Sequence, residues 1–273
     1  MDTMLFRNSR RKLSQGLLFW REVGYGIPVV FLHGAWCDSS EWVSTMELIS
    51  REFHCFAPDM LGFGESEYPE VHHAIDLHVD CLVEFLQALK LEKVYLVGHS
   101  LGAWIAASCA LKYPEKVQGL VLLSPEGVEI DGFEKSWQKT RRLIKGPSFI
   151  FRLLNIFRPL AKMLGWETKI AEDLQQRRIL LENPTASKLL YQRQLPEIEA
   201  ELLQEKLDLI QIQVLILQGE KDTPDALTKS KIYARLTPQA KLKIIDGAED
   251  NLPQSFPSDV AKEIRNFVKR IRS

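Results

Sequence analysis

The stretch that most restricts how this chain can fold is YLVGHSLGAW, Tyr95 to Trp104. Val94 to Val97 reads as a short buried strand, and Gly98-His99-Ser100-Leu101-Gly102 follows it with no spacer. A run of small residues with helical character, Ala103 to Leu111, comes next. A strand that passes straight into a helix makes a strained turn, which pushes Ser100 Oγ out above the sheet. The flanking glycines tolerate that turn and leave room for a bound molecule. The free N–H groups of the first helical turn point the same way, toward any negative charge that develops there.

Strands and helices alternate around this turn. Ile27 to Leu32, Phe53 to Pro58, Val117 to Leu123, Gln213 to Leu217 and Lys241 to Ile245 read as further strands. Glu41 to Arg51 and Ile75 to Leu89 have helical spacing, with Leu82, Phe85, Leu86 and Leu89 on the inner face of the second. The expected fold class is α/β, a doubly wound and mostly parallel sheet covered on both faces. Between residues 126 and 212 the rhythm breaks into helical sequence with no buried strand. The expected organisation is a core of residues 1–125 and 213–273, interrupted by a helical cap of residues 126–212.

A G-x-S-x-G between a strand and a helix is a nucleophile elbow, and here the chain resembles the α/β-hydrolases with a helical cap, the esterase- and lipase-like group. FLHGAW resembles that family's oxyanion-hole strand end, and DMLGFGES the loop after the next strand. The resemblance implies Ser100 as nucleophile, with the backbone N–H groups of Ala35 and Leu101 as the oxyanion hole. Trp36, His33 and Trp104 are the expected substrate-binding side chains, although a histidine in the His33 motif is usually structural. His99, inside the elbow, is expected to point away from the site. VLILQGEKDTPDA resembles the family's strand-end GxxD and makes Asp222 the triad carboxylate.

The third catalytic member should follow the last strand as G-x-G-H, with proline seven residues later. In frame stand Gly247, Ala248, Glu249 and Asp250, then Pro257. Aspartate therefore replaces the histidine. The six histidines are His33, His54, His72, His73, His78 and His99, none of them beyond the elbow. Only His72 and His73 lie in a loop that reaches toward the mouth of such a site. Histidine suits the role because its pKa of about 6.5 lets it take a proton from serine and return it to a leaving group. A carboxylate in water, near about 3.9, is a far weaker base. Asp222 and Asp250 can act as a pair sharing a proton, or Asp250 can simply cap its loop. The readings this leaves are a serine hydrolase of ester or acyl substrates without its histidine, and a weak or inactive relative that binds a hydrophobic ligand or a membrane surface.

From Lys135 to Arg178 eleven basic residues face only three acidic ones, with Phe149, Phe151, Phe157 and Trp166 among the apolar residues between them. Such a basic amphipathic segment suits peripheral contact with an anionic membrane, and equally a lid over a lipophilic substrate. With a net charge of −1 and no recognised binding motif, nucleic acid is not an expected partner. Cys37, Cys55, Cys81 and Cys109 are scattered without metal-ligand spacing, which predicts reduced thiols and no metal. No cofactor is expected, and the N-terminal MDTMLFRNSRRKLSQ has neither a long apolar stretch nor a cleavage pattern. The expected location is the cytoplasm, with a membrane-peripheral option, and the expected partner is a small lipophilic or acyl substrate.

Overall fold

The computed structural model describes residues 5–147 and 167–272. It divides into two compact units, residues 1–130 with 200–273, and residues 131–199. Most of the apolar cap sequence, Phe149 to Trp166, lies outside the described residues.

The first unit is built on eight strands: β1 (Arg7–Lys12), β2 (Leu17–Gly24), β3 (Ile27–Leu32), β4 (Phe53–Pro58), β5 (Val94–His99), β6 (Val117–Leu123), β7 (Val214–Gly219) and β8 (Ala240–Ile245). Their order across the sheet is β1-β2-β4-β3-β5-β6-β7-β8. β2 runs antiparallel to both β1 and β4, and every other neighbouring pair is parallel. Parallel strands deliver their following loops to one edge. His33, Ser100, Ser124, Asp222 and Asp250 all follow such strand ends. The chain steps outward from β3 to β4 and then crosses to β5 on the other side, so the strand order reverses between β3 and β5. A crevice for a ligand forms at the carboxyl ends of strands at such a reversal.

The central strands are apolar on both faces because helices cover both. Phe31, Val97, Val121 and Leu217 are wholly buried. On one side they join Trp42, Met46, Ile49, Val260, Ile264 and Phe267 in a single cluster, with the Phe31 and Trp42 rings 5.2 Å apart. Those residues belong to the segment around α1 (Val43–Ile49) and to the last helix, Pro257–Arg272. Each fully buried side chain of this size contributes roughly 1.5–3 kcal/mol. On the other side lie α2 (Ile75–Ala88) and α3 (Leu101–Lys112). The helix expected at Glu41 to Arg51 begins as a 3₁₀ turn, Ser39–Trp42, capped by Asp38, whose carboxylate accepts from the Ser40 amide at 2.8 Å.

The N-terminal hairpin of β1 and β2 has no counterpart in the sequence reading. The sequence of β1, RNSRRK, has almost no apolar alternation, and its residues are largely exposed. Its strand identity comes from its partner β2, where Leu18, Phe19, Trp20 and Val23 are buried. Arg10 and Lys12 pair with Glu65 and Glu67 at 2.5 and 2.9 Å, so this sheet edge is charged and resists pairing with another chain.

Residues 126–130 and 200–212 fall in the same unit as the sheet. Leu203 N donates to Gly127 O at 2.8 Å, and the Tyr233 hydroxyl donates to Glu126 O at 2.6 Å. The second unit contains α4 (Phe133–Lys145) and α5 (Glu167–Glu182), tied to its own segments by Trp137 Nε1 donating to Leu190 O at 2.9 Å. No helix among the described residues is long and apolar enough to cross a membrane.

Candidate active site around Ser100

Ser100 sits between β5 and α3 with φ 51° and ψ −110°. A non-glycine residue in that region stores roughly 1–3 kcal/mol of strain, which persists only when the surroundings impose it. They do so here through two glycines. A Cβ on Gly98 would come within 2.4 Å of Gly102 O, and one on Gly102 within 2.2 Å of Leu32 O. Strand β5, helix α3 and the end of β3 are therefore packed backbone against backbone, and the turn between them has no other way round. The Ser100 amide donates to Leu123 O at 2.9 Å, which anchors the turn to β6. Among the described residues, no side chain hydrogen-bonds to Ser100 Oγ.

The two main-chain groups expected to meet an oxyanion both lack a protein acceptor among the described residues. Leu101 is the first residue of α3, so its N–H has no partner within the helix. The neighbouring Gly34 amide donates to Glu41 Oε2 at 3.0 Å, while the amide of Ala35 makes no such bond.

His33 is wholly buried, with both ring nitrogens engaged. The Met60 amide donates to Nε2 at 3.0 Å, so Nε2 is the unprotonated nitrogen and Nδ1 carries the proton it donates to Gly34 O at 2.8 Å. The ring thus stitches the β3 loop to the β4 loop. It has no free nitrogen for a substrate. Trp104 is buried too. Its Nε1 donates to Glu201 O at 3.1 Å, and its indole packs so closely on Gly127 that a Cβ there would lie 2.4 Å from it. Trp36 is 41% exposed.

Asp222 is half-buried. Its Oδ2 accepts from Gln218 Nε2 at 2.7 Å and from the Ser124 hydroxyl at 3.0 Å, and its Oδ1 accepts from the Thr223 amide at 2.6 Å. Gln218 is itself wholly buried and held from behind by the Ser230 hydroxyl at 2.5 Å. Sequence reading passed over Gln218 and Ser124. The available signal was a lone polar residue inside the apolar run VLILQ, which demands a buried partner. Gln218→Leu is expected to destabilise the protein by about 1–3 kcal/mol, read as a lower urea midpoint, because Ser230 loses its acceptor and Asp222 a donor.

Asp250 is exposed, on the loop after β8. That loop is pinned to the loop of Asp222, since Lys221 N donates to Ala248 O at 2.8 Å and Glu220 N to Ile245 O at 3.0 Å. Gly219 allows the approach, as a Cβ there would meet Glu249 O at 2.3 Å. The Asp250 carbonyl lies 3.0 Å from His99 Nε2, so the elbow and the Asp250 loop are in direct contact. The other ring nitrogen, Nδ1, is 2.6 Å from Glu41 Oε1. The motif alone sends His99 away from the site with no stated partner, yet it has two.

Burial pushes the Glu41 carboxyl up, but the charge and hydrogen bond of His99 and the Gly34 amide outweigh it and hold it below its ordinary value. Burial pushes His99 down, but the charge and hydrogen bond of Glu41, with the Asp250 carbonyl and carboxylate, raise it above its ordinary value. The Cys37 thiol nearby is pushed far up by burial and by Glu41, Asp38 and Asp250, so it stays protonated. His73 is buried and stacked on His78, with ring centroids 5.7 Å apart. All four cysteines are free thiols, and no group of His, Cys, Asp or Glu among the described residues is arranged to hold a metal ion.

Residues 27–253 match the family model described as alpha/beta hydrolase fold. A 2-hydroxy-6-oxo-2,4-heptadienoate hydrolase of Pseudomonas putida is 36% identical over 126 residues, covering 42% of this chain and 45% of the relative. A 2-hydroxymuconate semialdehyde hydrolase of a Pseudomonas species is 34% identical over 145 residues, 48% of this chain and 51% of the relative. The chain thus spans about half the length of these curated relatives. The solved structure of a thermophilic esterase from Thermogutta terrifontis superimposes with a TM-score of 0.74 at 22% identity, covering 98% of this chain and all of the other.

Proposed function

Because the chain belongs to the α/β-hydrolase fold family, we propose that it is a serine hydrolase of carboxylic esters or related lipophilic acyl substrates, working without a catalytic histidine. The observation that carries this reading is the backbone of Ser100, held at φ 51° by two glycines that admit no side chain. Strain of that kind is kept where it places a reacting atom. The two Pseudomonas relatives, both named as hydrolases, support hydrolysis as the reaction class.

In this reading Ser100 Oγ attacks the substrate carbonyl carbon, and the amides of Ala35 and Leu101 receive the oxygen as it gains charge. Asp250 takes the serine proton and returns it to the leaving alcohol, while Asp222, held by three donors, supports it. Water then cleaves the acyl-serine. The exposure of Asp250 favours separate action of the two carboxylates over a shared proton. A carboxylate base makes for slow turnover.

Labelling with a fluorophosphonate tests this. The parent is expected to label slowly at one site and to turn over short acyl esters, and Ser100→Ala to lose both. A second reading, a relative that binds its ligand without turnover, is favoured by the lack of any described side chain bonded to Ser100 Oγ. It prevails if the parent neither labels nor turns over while Ser100→Ala still binds the same lipophilic ligands. The basic stretch Lys135 to Arg178 supports peripheral contact with anionic membranes. The protein is expected to pellet with vesicles containing an anionic phospholipid and to be released by added salt, and no pelleting at low salt removes this contact.

A further inference from the structure

We propose that His99 is a cationic positioning residue, whose imidazolium ties the nucleophile elbow to the oxyanion loop through Glu41 and to the Asp250 loop through that residue's carbonyl. The proposal is independent of turnover and holds for a hydrolase and a binding protein alike.

The geometry dictates the proton count. The Asp250 carbonyl oxygen can only accept, so Nε2 must carry a hydrogen to bond it at 3.0 Å. The 2.6 Å contact from Nδ1 to Glu41 Oε1 requires a second proton between them. Two protons therefore serve this ring and this carboxylate together. The second belongs on the imidazole. An imidazole is ordinarily more basic than a carboxylic acid by about two pK units, and Glu41 Oε2 already accepts the Gly34 amide, which favours its ionised form.

The charged groups around the ring point the same way. Glu41 faces it from the 3₁₀ turn after β3, and Asp250 adds negative charge from the loop after β8. Behind Glu41 stand His33, Asp38 and the Cys37 thiol, which is held neutral. With Glu41 ionised, a neutral His99 would have to give up one of its two bonds. Losing the Nδ1 bond would leave Glu41, only 2% exposed, as a buried carboxylate supported by the Gly34 amide.

Three loops thus depend on one proton. Glu41 is the acceptor of the Gly34 amide, one residue before the Ala35 amide. The Asp250 carbonyl belongs to the residue that stands where the family carries its histidine. His99 lies one residue before Ser100. A Cβ on Gly34 would lie 3.1 Å from His99 Nδ1, so the oxyanion loop rests directly on the ring.

The linkage has a definite sign. His99 is raised, so its contribution is fully present below its ordinary value of about 6.5 and is lost as pH rises through its folded value. Glu41 is lowered, so its contribution is present above its ordinary value of about 4.5 and is lost as pH falls through its folded value. The latch is complete between those limits.

The test is a histidine-ring nitrogen NMR titration of the full chain, with the His99 signals assigned by their loss in His99→Gln. At pH 7.5 both His99 nitrogens are expected at imidazolium positions, and His99 is expected to deprotonate above the ordinary histidine value of about 6.5. In Glu41→Gln the His99 titration is expected to fall by more than one pH unit. The amide signals of Gly34 and Asn251, which report the Glu41 bond and the Asp250 carbonyl, are expected to shift in step with the His99 ring in the parent and to lose that step in Glu41→Gln. A neutral His99 at pH 7.5 overturns the proposal. So does a His99 titration unmoved by Glu41→Gln, or a pair of amides that ignore the ring. If His99→Gln does not fold, the assignment comes from through-bond correlation in the parent, and the Glu41→Gln comparison still decides.

Discussion

Asp250→His is expected to raise ester turnover, as kcat/KM, by roughly 10²- to 10³-fold over the parent. A positioned general acid–base contributes typically about 10²–10⁴, and most of that range separates a histidine from a carboxylate in this role. The scaffold needs no other change. The Asp250 carbonyl is already bonded to His99, and the β7 and β8 loops are pinned together by the Lys221 and Glu220 amides. Asp222 is held by Gln218, Ser124 and Thr223, and in the proposed site it is the carboxylate that would orient the new imidazole. The pH profile carries the diagnosis. The variant should acquire an acid limb near the ordinary histidine value of about 6.5, absent from the parent. A double variant, Ser100→Ala with Asp250→His, should lose the gain entirely. If Asp250→His leaves both rate and profile unchanged, position 250 does not face Ser100, and the base must be sought elsewhere. If the parent is inert and the variant active, the pocket is intact and turnover was relinquished, which favours the binding reading.

How far the site can be read from sequence depends on whether each feature is local. The elbow is local: a strand, five residues and a helix in unbroken order, so YLVGHSLGAW is enough to expect the strain later seen at Ser100. The parallel strands are legible for a related reason. Buried on both faces, they appear as short apolar runs, and β4 and β6 coincide with the expected Phe53 to Pro58 and Val117 to Leu123. The β1 strand fails that test because a charged edge strand takes its structure from its neighbour. Glu41 was hidden differently. In the sequence it is one more acidic residue at a helix start, yet it is buried beside His99, which lies 58 residues further along. Contacts of that kind have no period and no motif. Gln218 is intermediate, since a polar residue in an apolar run announces a partner without saying which.

The elbow's glycines carry the largest expected effect on folding. Gly102→Ala should destabilise the protein by about 4 kcal/mol, and Gly98→Ala by a similar amount, near the upper end of what single substitutions do. The added Cβ of Gly102→Ala would stand 2.2 Å from Leu32 O, 2.5 Å from Leu32 C and 2.7 Å from His33 O. All three are main-chain atoms at the end of β3, which is hydrogen-bonded on both sides within the sheet. No side chain can rotate away to relieve the contact, so helix α3 must lift from the sheet that it covers. Gly98→Ala meets the same wall from the other side, at Gly102 O and the Cα of Ala103. Gly247→Ala is the control. Gly247 has φ 70° but nothing within 4 Å of an added Cβ, so only the backbone preference is lost, about 1–2 kcal/mol. Urea midpoints of the three variants, compared at a common slope, separate the causes. A Gly102→Ala protein as stable as Gly247→Ala would mean that α3 and β3 are not packed backbone to backbone, and the strain at Ser100 would lose its physical support.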